Sequence, residues 1–237
     1  AIMHDSTRRG ARQVVMVASP ASMEGSTTVA ASLALSLARA GRRTLLIDGD
    51  LRSPTLHKLF GVPLEDGFSE VLRSEIDLAD AVRPTSHEGL YVLTAGVRDM
   101  DAIYALATDQ PQAIFDKLRD QFDFVVVDSP PVLGLSDALS LGQYIDAAVL
   151  TVLRDHSELR RVYQAAETLR LMGVRLVGCV VNGMPSKADR RVSRSNLVAP
   201  NRTPRLPAKT EAPRKSDDLD NLGDLDDLID DESKGQS

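Results

Sequence analysis

Residues 13–28 read Gln-Val-Val-Met-Val-Ala-Ser-Pro-Ala-Ser-Met-Glu-Gly-Ser-Thr-Thr. An apolar, β-rich run (Val14 to Ala18) enters a turn of small residues, and a helix-forming Ala/Leu run from Ala30 to Ala40 follows. A strand, a small-residue loop and a helix in that order make a phosphate-binding loop. In such a loop backbone N–H groups and a helix N-terminus surround an anion. The pattern G-x-x-x-x-G-K-[ST] fits only in part. Pro20 stands at the first Gly position and Ser26 at the Lys position, while Gly25 and Thr27 match.

Working outward, further short runs rich in Val, Ile and Leu recur without polar alternation. They are Thr44 to Ile47, Leu90 to Leu93, Phe124 to Val127, Ala147 to Leu153 and Leu176 to Val181. Continuous apolar runs of this length suit parallel strands covered on both faces. Helical stretches fall between them. Thr28 to Ala40 is small and apolar. Gln112 to Phe122 places Ile114, Phe115, Leu118 and Phe122 on helical spacing. Ser157 to Met172 opens with Ser157 as the expected N-cap and stops at Gly173. The alternation predicts an α/β fold with a doubly wound, mostly parallel sheet. Ligands of such sheets bind at the carboxyl ends of the strands.

The chain has 237 residues, enough for one α/β domain with additional segments. Its net charge of −6 disfavours nucleic acid as a partner of the whole chain. The charge is unevenly placed. From Lys187 to Lys215 there are nine Lys/Arg against Asp189 and Glu211; from Ser216 to Ser237 there are nine Asp/Glu against Lys234. The expected organisation is a lead-in at 1–12 cut from a longer chain, a folded domain at 13–185, a basic disordered linker at 186–216 and an acidic tail at 217–237. The linker holds almost no large apolar side chain and cannot offset its chain entropy by burial. The tail interleaves carboxylates with Leu219, Leu222, Leu225, Leu228 and Ile229, at a spacing that suits a helix formed on a partner as well as a solvated tail.

Cys179 is the one cysteine, which excludes an internal disulfide, and its apolar neighbours predict burial. The histidines (His4, His57, His87, His156) show no metal-ligand spacing. No run of about 18 apolar residues is present to span a bilayer, and no signal peptide is visible, so a cytoplasmic compartment is expected.

Three segments are expected to converge on one site. The loop Ser19 to Thr28 offers Gly25 and the following N–H groups to phosphate, with Thr27 placed to ligate magnesium. The run Thr44-Leu-Leu-Ile-Asp48-Gly-Asp50-Leu-Arg52 delivers two carboxylates and an arginine from a strand end. The run Phe124-Val-Val-Val-Asp128-Ser-Pro-Pro131 delivers Asp128 from another. Each alone is a weak signal, since an Asp after a strand is often a helix cap or a turn former. The three together, in this order, point to a nucleotide site.

These words, with LLIDGDLRSPTLHKLFG at 45–61, FDFVVVDSPPVLGLSDAL at 122–139 and VVNG at 180–183, resemble the ATPase domain of bacterial tyrosine autokinases. That family belongs to the deviant P-loop ATPases, with the septum-site and plasmid-partition proteins. The resemblance runs from about Arg12 to Gly183. It implies ATP and Mg2+ as cofactors, phosphoryl transfer to tyrosine, and a role in capsule or exopolysaccharide synthesis. Asp48 and Asp50 would hold magnesium and help deprotonate the acceptor hydroxyl, with Asp128 supporting the metal. Thr27, Asp48 and Asp128 form the implied metal set. Glu24, Gly25, Ser26, Thr27, Thr28, Arg52, Arg154 and Asn182 form the implied nucleotide set, Asn182 reading the adenine edge and Arg154 beside it. Asp137 matches the acidic residue after the Pro-Pro turn. Implied partners are a membrane co-polymerase portion or protein, other copies in a ring formed with an upstream segment, and a tyrosine-bearing acceptor. These place the domain at the inner face of the membrane.

Departures from the family pattern S-P-x-P-G-E-G-K-[ST]-T qualify this. Met23 replaces a Gly that lets backbone approach phosphate. Ser26 replaces the Lys that stabilises the β/γ oxygens. Arg42 and Arg52 are the candidates to supply the missing charge. No tyrosine follows Tyr163 in these 237 residues, whereas family members usually end in a tyrosine cluster. Three readings follow: an active kinase domain, a catalytically impaired pseudokinase acting as a regulatory scaffold, and a partition-type ATPase that binds DNA or membrane.

Overall fold

The computed structural model describes residues 12–134 and 136–184. The expected linker, the acidic tail and nearly all of the lead-in lie outside the described residues.

In chain order the elements are β1 (Gln13–Ala18), α1 (Ser26–Arg39), β2 (Thr44–Asp48), α2 (Leu56–Phe60), α3 (Phe68–Leu72), α4 (Leu78–Ala81), β3 (Arg83–Pro84), β4 (Leu90–Leu93), α5 (Met100–Ala105), α6 (Gln110–Gln121), β5 (Phe124–Asp128), α7 (Ser136–Gly142), β6 (Ala147–Leu153), α8 (Leu159–Leu171) and β7 (Arg175–Asn182). The strands form one sheet in the order β3-β4-β2-β5-β1-β6-β7. Every neighbouring pair is parallel except β3 with β4. The fold is the doubly wound α/β sheet that the strand runs predict.

The apolar runs explain the two cores. Alternate residues of one strand point to opposite faces. Val14, Met16 and Ala18 of β1 join Leu45, Val125 and Val127 against α6 and α8. Val15 and Val17 join Leu46, Val126 and the alanine face of α1 on the other side. Small side chains at Ala30, Ala31, Ala34 and Ala38 let α1 lie close to the sheet, so its N-terminus is held directly above the end of β1. The helix ends where a Gly can take a left-handed turn: Gly41 has φ +75°. The Gly41 N–H bonds Ala38 O and the Arg42 N–H bonds Leu37 O, the paired closure of a Schellman turn. α8 ends the same way at Gly173, as its sequence predicts.

Three expectations need correction. β7 is an edge strand and most of its residues are exposed, so it is not covered on both faces as the other long strands are. Cys179 lies on it and is exposed, although burial of part of the side chain still pushes its thiol pKa up. Ser157 does not cap α8, whose N-cap is Glu158. Ser157 instead accepts the Leu153 N–H and donates to a Glu24 carboxylate oxygen at 2.5 Å.

Candidate nucleotide site

The register of the sheet builds the site. β2 and β5 run parallel with Asp48 as the partner of Asp128, and Val17 of β1 pairs with the same Asp128. Two carboxylates therefore leave the sheet side by side, next to the loop that follows β1. Gly49 is required there: a Cβ at that position would lie 2.8 Å from the Asp128 carbonyl oxygen, which accepts the Gly49 N–H. The Ser129-Pro130-Pro131 turn is tied to the loop by the Ser129 N–H to Val17 O and the Val132 N–H to Ser19 O.

The loop is braced from inside. Glu24 is buried and accepts the Ala21 N–H on one oxygen and the Ser157 hydroxyl on the other. Its backbone carbonyl accepts the Asn182 side-chain amide at 2.8 Å. Gly25 adopts φ +87°, and a Cβ there would meet Asn182 Nδ2 at 2.5 Å. Gly is thus the residue that satisfies both demands, and it opens α1. The first N–H groups of that helix have no acceptor within the helix and carry the positive end of its dipole.

A cavity of about 410 Å3 opens above the loop. Of the predicted residues it is lined by Gly25, Ser26, Thr27, Asp50 and Asp128. Thr28, Glu24, Asp48, Arg52, Arg154 and Asn182 do not line it. Asp48 Oδ2 accepts the N–H groups of Thr55 and Leu56 and so caps α2 from a distance. Asp50 accepts the Arg52 and Ser53 N–H groups in a local turn. Arg52 is held by Asp137, with its Nε and Nη2 at 2.6 and 3.2 Å from the two carboxylate oxygens. Arg154 pairs with Asp155 at the surface. Arg42 stands at the opposite end of β2 and cannot replace the lysine. Among the described residues, no Lys or Arg lines the cavity.

Burial drives the electrostatics. Asp48 is fully buried, and loss of water pushes its carboxyl up to about 6, although the Leu56 and Thr55 amides hold it down. Burial likewise pushes Asp128 up to about 7; the Thr27 hydroxyl opposes this and the neighbouring Asp48 charge adds to it. Asp48 Oδ1 and Asp128 Oδ1 are buried with no hydrogen-bond partner. The two carboxylates are hard oxygen donors of the kind Mg2+ takes, and Asp128 also meets the Thr27 hydroxyl. No group of three or more His, Cys, Asp or Glu side chains could hold a metal among the described residues. A Mg2+ ion held by one or two carboxylates and by substrate phosphates does not require such a group.

Met23 sits at the cavity rim, 91% exposed, with φ +65°. A side chain in the left-handed region is strained, so the backbone here keeps the shape that a Gly would adopt freely. The sequence signals missed the Glu24–Ser157 brace and the Arg52–Asp137 pair. A buried Glu inside a glycine loop was the one available hint of the first.

Comparison with known proteins agrees with this geometry. Residues 14–168 match a family described as AAA domain. A putative tyrosine-protein kinase CapB of Staphylococcus aureus is 32% identical over 171 residues, covering 72% of this chain and 75% of that protein. The chain belongs to the bacterial tyrosine-protein kinase family. The kinase domain of Escherichia coli tyrosine kinase ETK superposes with a TM-score of 0.73 at 27% identity, over 78% of this chain and 73% of that one. The septum site-determining protein MinD of Pyrococcus horikoshii OT3, complexed with Mg-ADP, gives 0.64 at 26% identity, over 76% of each chain. This tyrosine-kinase-family domain therefore has the P-loop ATPase fold. No described helix is long and apolar enough to cross a membrane.

Proposed function

We propose that this domain binds a magnesium–nucleotide complex at the loop cavity. We further propose that it serves capsule or exopolysaccharide assembly as a kinase-family regulator whose phosphoryl transfer is slowed by Ser26. The observation that carries this reading is the lining of the cavity: hydroxyls and carboxylates, with no Lys or Arg among the described residues.

Gly25 and the first N–H groups of α1 would hold phosphate oxygens. Thr27, Asp48 and Asp128 would hold Mg2+, which supplies charge neutralisation of the phosphates when bound. Asp50, which lines the cavity, would orient an acceptor hydroxyl. Asn182 keeps the loop in shape from behind through its bond to the Glu24 carbonyl, and its remaining amide oxygen would meet an adenine edge. Among the described residues, the cavity has no fixed positive charge for the β/γ oxygens. Loss of one preorganised stabiliser costs about 3 kcal/mol, or a hundredfold or more in rate.

A second reading, an active tyrosine kinase, is favoured by the two unpartnered carboxylate oxygens, which keep the metal side of the machinery available. Its partners would be a tyrosine-bearing acceptor and other copies or a membrane co-polymerase portion. Calorimetry with ATP, with and without Mg2+, tests the common ground. Magnesium-dependent micromolar binding supports a working pocket, and no binding at millimolar ATP removes both readings. Transfer to a tyrosine-bearing acceptor at ordinary kinase rates would select the second.

A further inference from the structure

A second cavity, of about 850 Å3, opens at the other end of the sheet. It lies between the C-terminal half of α1, the turn into β2 and the turn into β4. Its polar lining is formed by Arg39, Arg42, Arg43, Ser86, His87 and one carboxylate, Glu88, with Tyr91 as an aromatic wall.

The arginines are unusual for this molecule. Most of the other described arginines are ion-paired, among them Arg52, Arg119, Arg154 and Arg170. No carboxylate oxygen of a described residue lies within 4.0 Å of the Arg39, Arg42 or Arg43 guanidinium. Arg39 complements the dipole at the end of α1, and one cation suffices for that. Three cations within five residues repel one another, and a bound anion would relieve that repulsion.

The rim is also preorganised. Arg43 lies over the rings of both Tyr91 and Phe122, 5.2 Å from each centroid, and the two rings meet edge to face. Across the cavity the 85–90 turn is fixed by Thr85, whose hydroxyl donates to Leu90 O and accepts the His87 N–H. Gly89 O then accepts the Thr44 N–H and ties that turn to β2. The cavity volume is that of a small-molecule site, commonly about 300–1,000 Å3. Guanidinium forks match phosphate oxygens two at a time.

We propose that this cavity binds a small phosphate ester, with its phosphoryl oxygens on Arg39 and Arg42 and its organic group on the platform of Arg43 and Tyr91. The site is independent of the nucleotide reading of the loop cavity and lies at the opposite ends of the strands.

The test is calorimetry on the full chain in EDTA with uridine diphosphate, glucose 1-phosphate and inorganic pyrophosphate. One equivalent of an ester is expected to bind more tightly than pyrophosphate, and the tighter of the two esters identifies the organic group. The double variant Arg39→Ala/Arg42→Ala is expected to lose about tenfold or more of that affinity per arginine, while its melting temperature and its Mg-ATP affinity stay unchanged. Arg43 is left in place because its packing on two rings makes its removal a folding risk. Arg39→Lys/Arg42→Lys keeps the charge and removes the forks, and an intermediate loss is expected. No binding of any probe at millimolar concentration overturns the site. So does full affinity in the alanine variant, and pyrophosphate binding as tightly as the esters overturns the ester assignment.

Discussion

The two ends of the sheet are built from opposite chemistry. At the carboxyl ends of β1, β2 and β5 stand Asp48, Asp50 and Asp128 with Ser26 and Thr27, and no cation lines the cavity among the described residues. At the amino ends of β2 and β4 stand three arginines without a described carboxylate partner. Both ends lie over strands of the same kind, so the difference does not come from the scaffold. It comes from where each end places its unpaired charge. The carboxylate end carries buried anions whose pKa values are pushed up, which makes it a cation seeker before it is a phosphate binder. The arginine end is exposed, and its guanidinium groups have no carboxylate partner among the described residues.

The largest expected effect would erase this contrast. Ser26→Lys puts a cation on the loop, and phosphoryl transfer from Mg-ATP should rise on the order of a hundredfold in a single-turnover assay. An unchanged rate would mean that position 26 does not limit the chemistry.

Asp128→Asn sharpens the contrast from the other side. A carboxyl whose folded pKa is raised favours folding when protonated. That stability is present below the unfolded value near 4 and is lost as pH rises through about 7. The apo domain should therefore gain stability as pH falls from 8 to 5.5. The Asn variant, neutral at every pH, should be more stable than the parent at pH 8 by a few kcal/mol, with the gap closing in acid. Magnesium should no longer improve its nucleotide binding. Denaturant titrations at the two pH values read the first effect and calorimetry the second. A parent curve flat with pH would contradict the burial argument.

Gly25→Ala tests the loop brace. It meets both a left-handed φ and the Asn182 amide at 2.5 Å, so a loss of about 1–3 kcal/mol is expected in thermal denaturation. Met23→Gly should act in the opposite direction and less. Relief of left-handed strain, about 1–2 kcal/mol, is offset by the flexibility of Gly in the unfolded chain. A net gain of roughly 0.5–1 kcal/mol is expected, and a loss would show that the exposed Met23 side chain makes a contact of value.

Much of the fold was legible because its signals are local. Val14 to Ala18 and Phe124 to Val127 are apolar without alternation, and only a strand buried on both faces needs that. The Ala/Leu run after Gly25 marks a helix beginning at a phosphate loop. The short elements were not legible: α2, α3, α4 and α5 are four to six residues long, too short for a hydrophobic period to show. The exposure of β7 was hidden as well, because an apolar run does not reveal whether its strand lies at the edge of a sheet.

The sequence by itself therefore determined the doubly wound sheet, the loop at the end of β1 and the three carboxylates delivered near it. Tertiary structure decided how those groups are used. Asp48 pairs in register with Asp128, Arg52 is spent on Asp137, Glu24 is locked by Ser157, and Arg42 lies a strand's length from the loop it was expected to help. The physical reason is one of range. Burial and helix or strand preference are read from neighbouring residues along the chain. Polar contacts join residues 85 and 133 positions apart, the Arg52–Asp137 ion pair and the Glu24–Ser157 hydrogen bond, and only the folded packing brings them together.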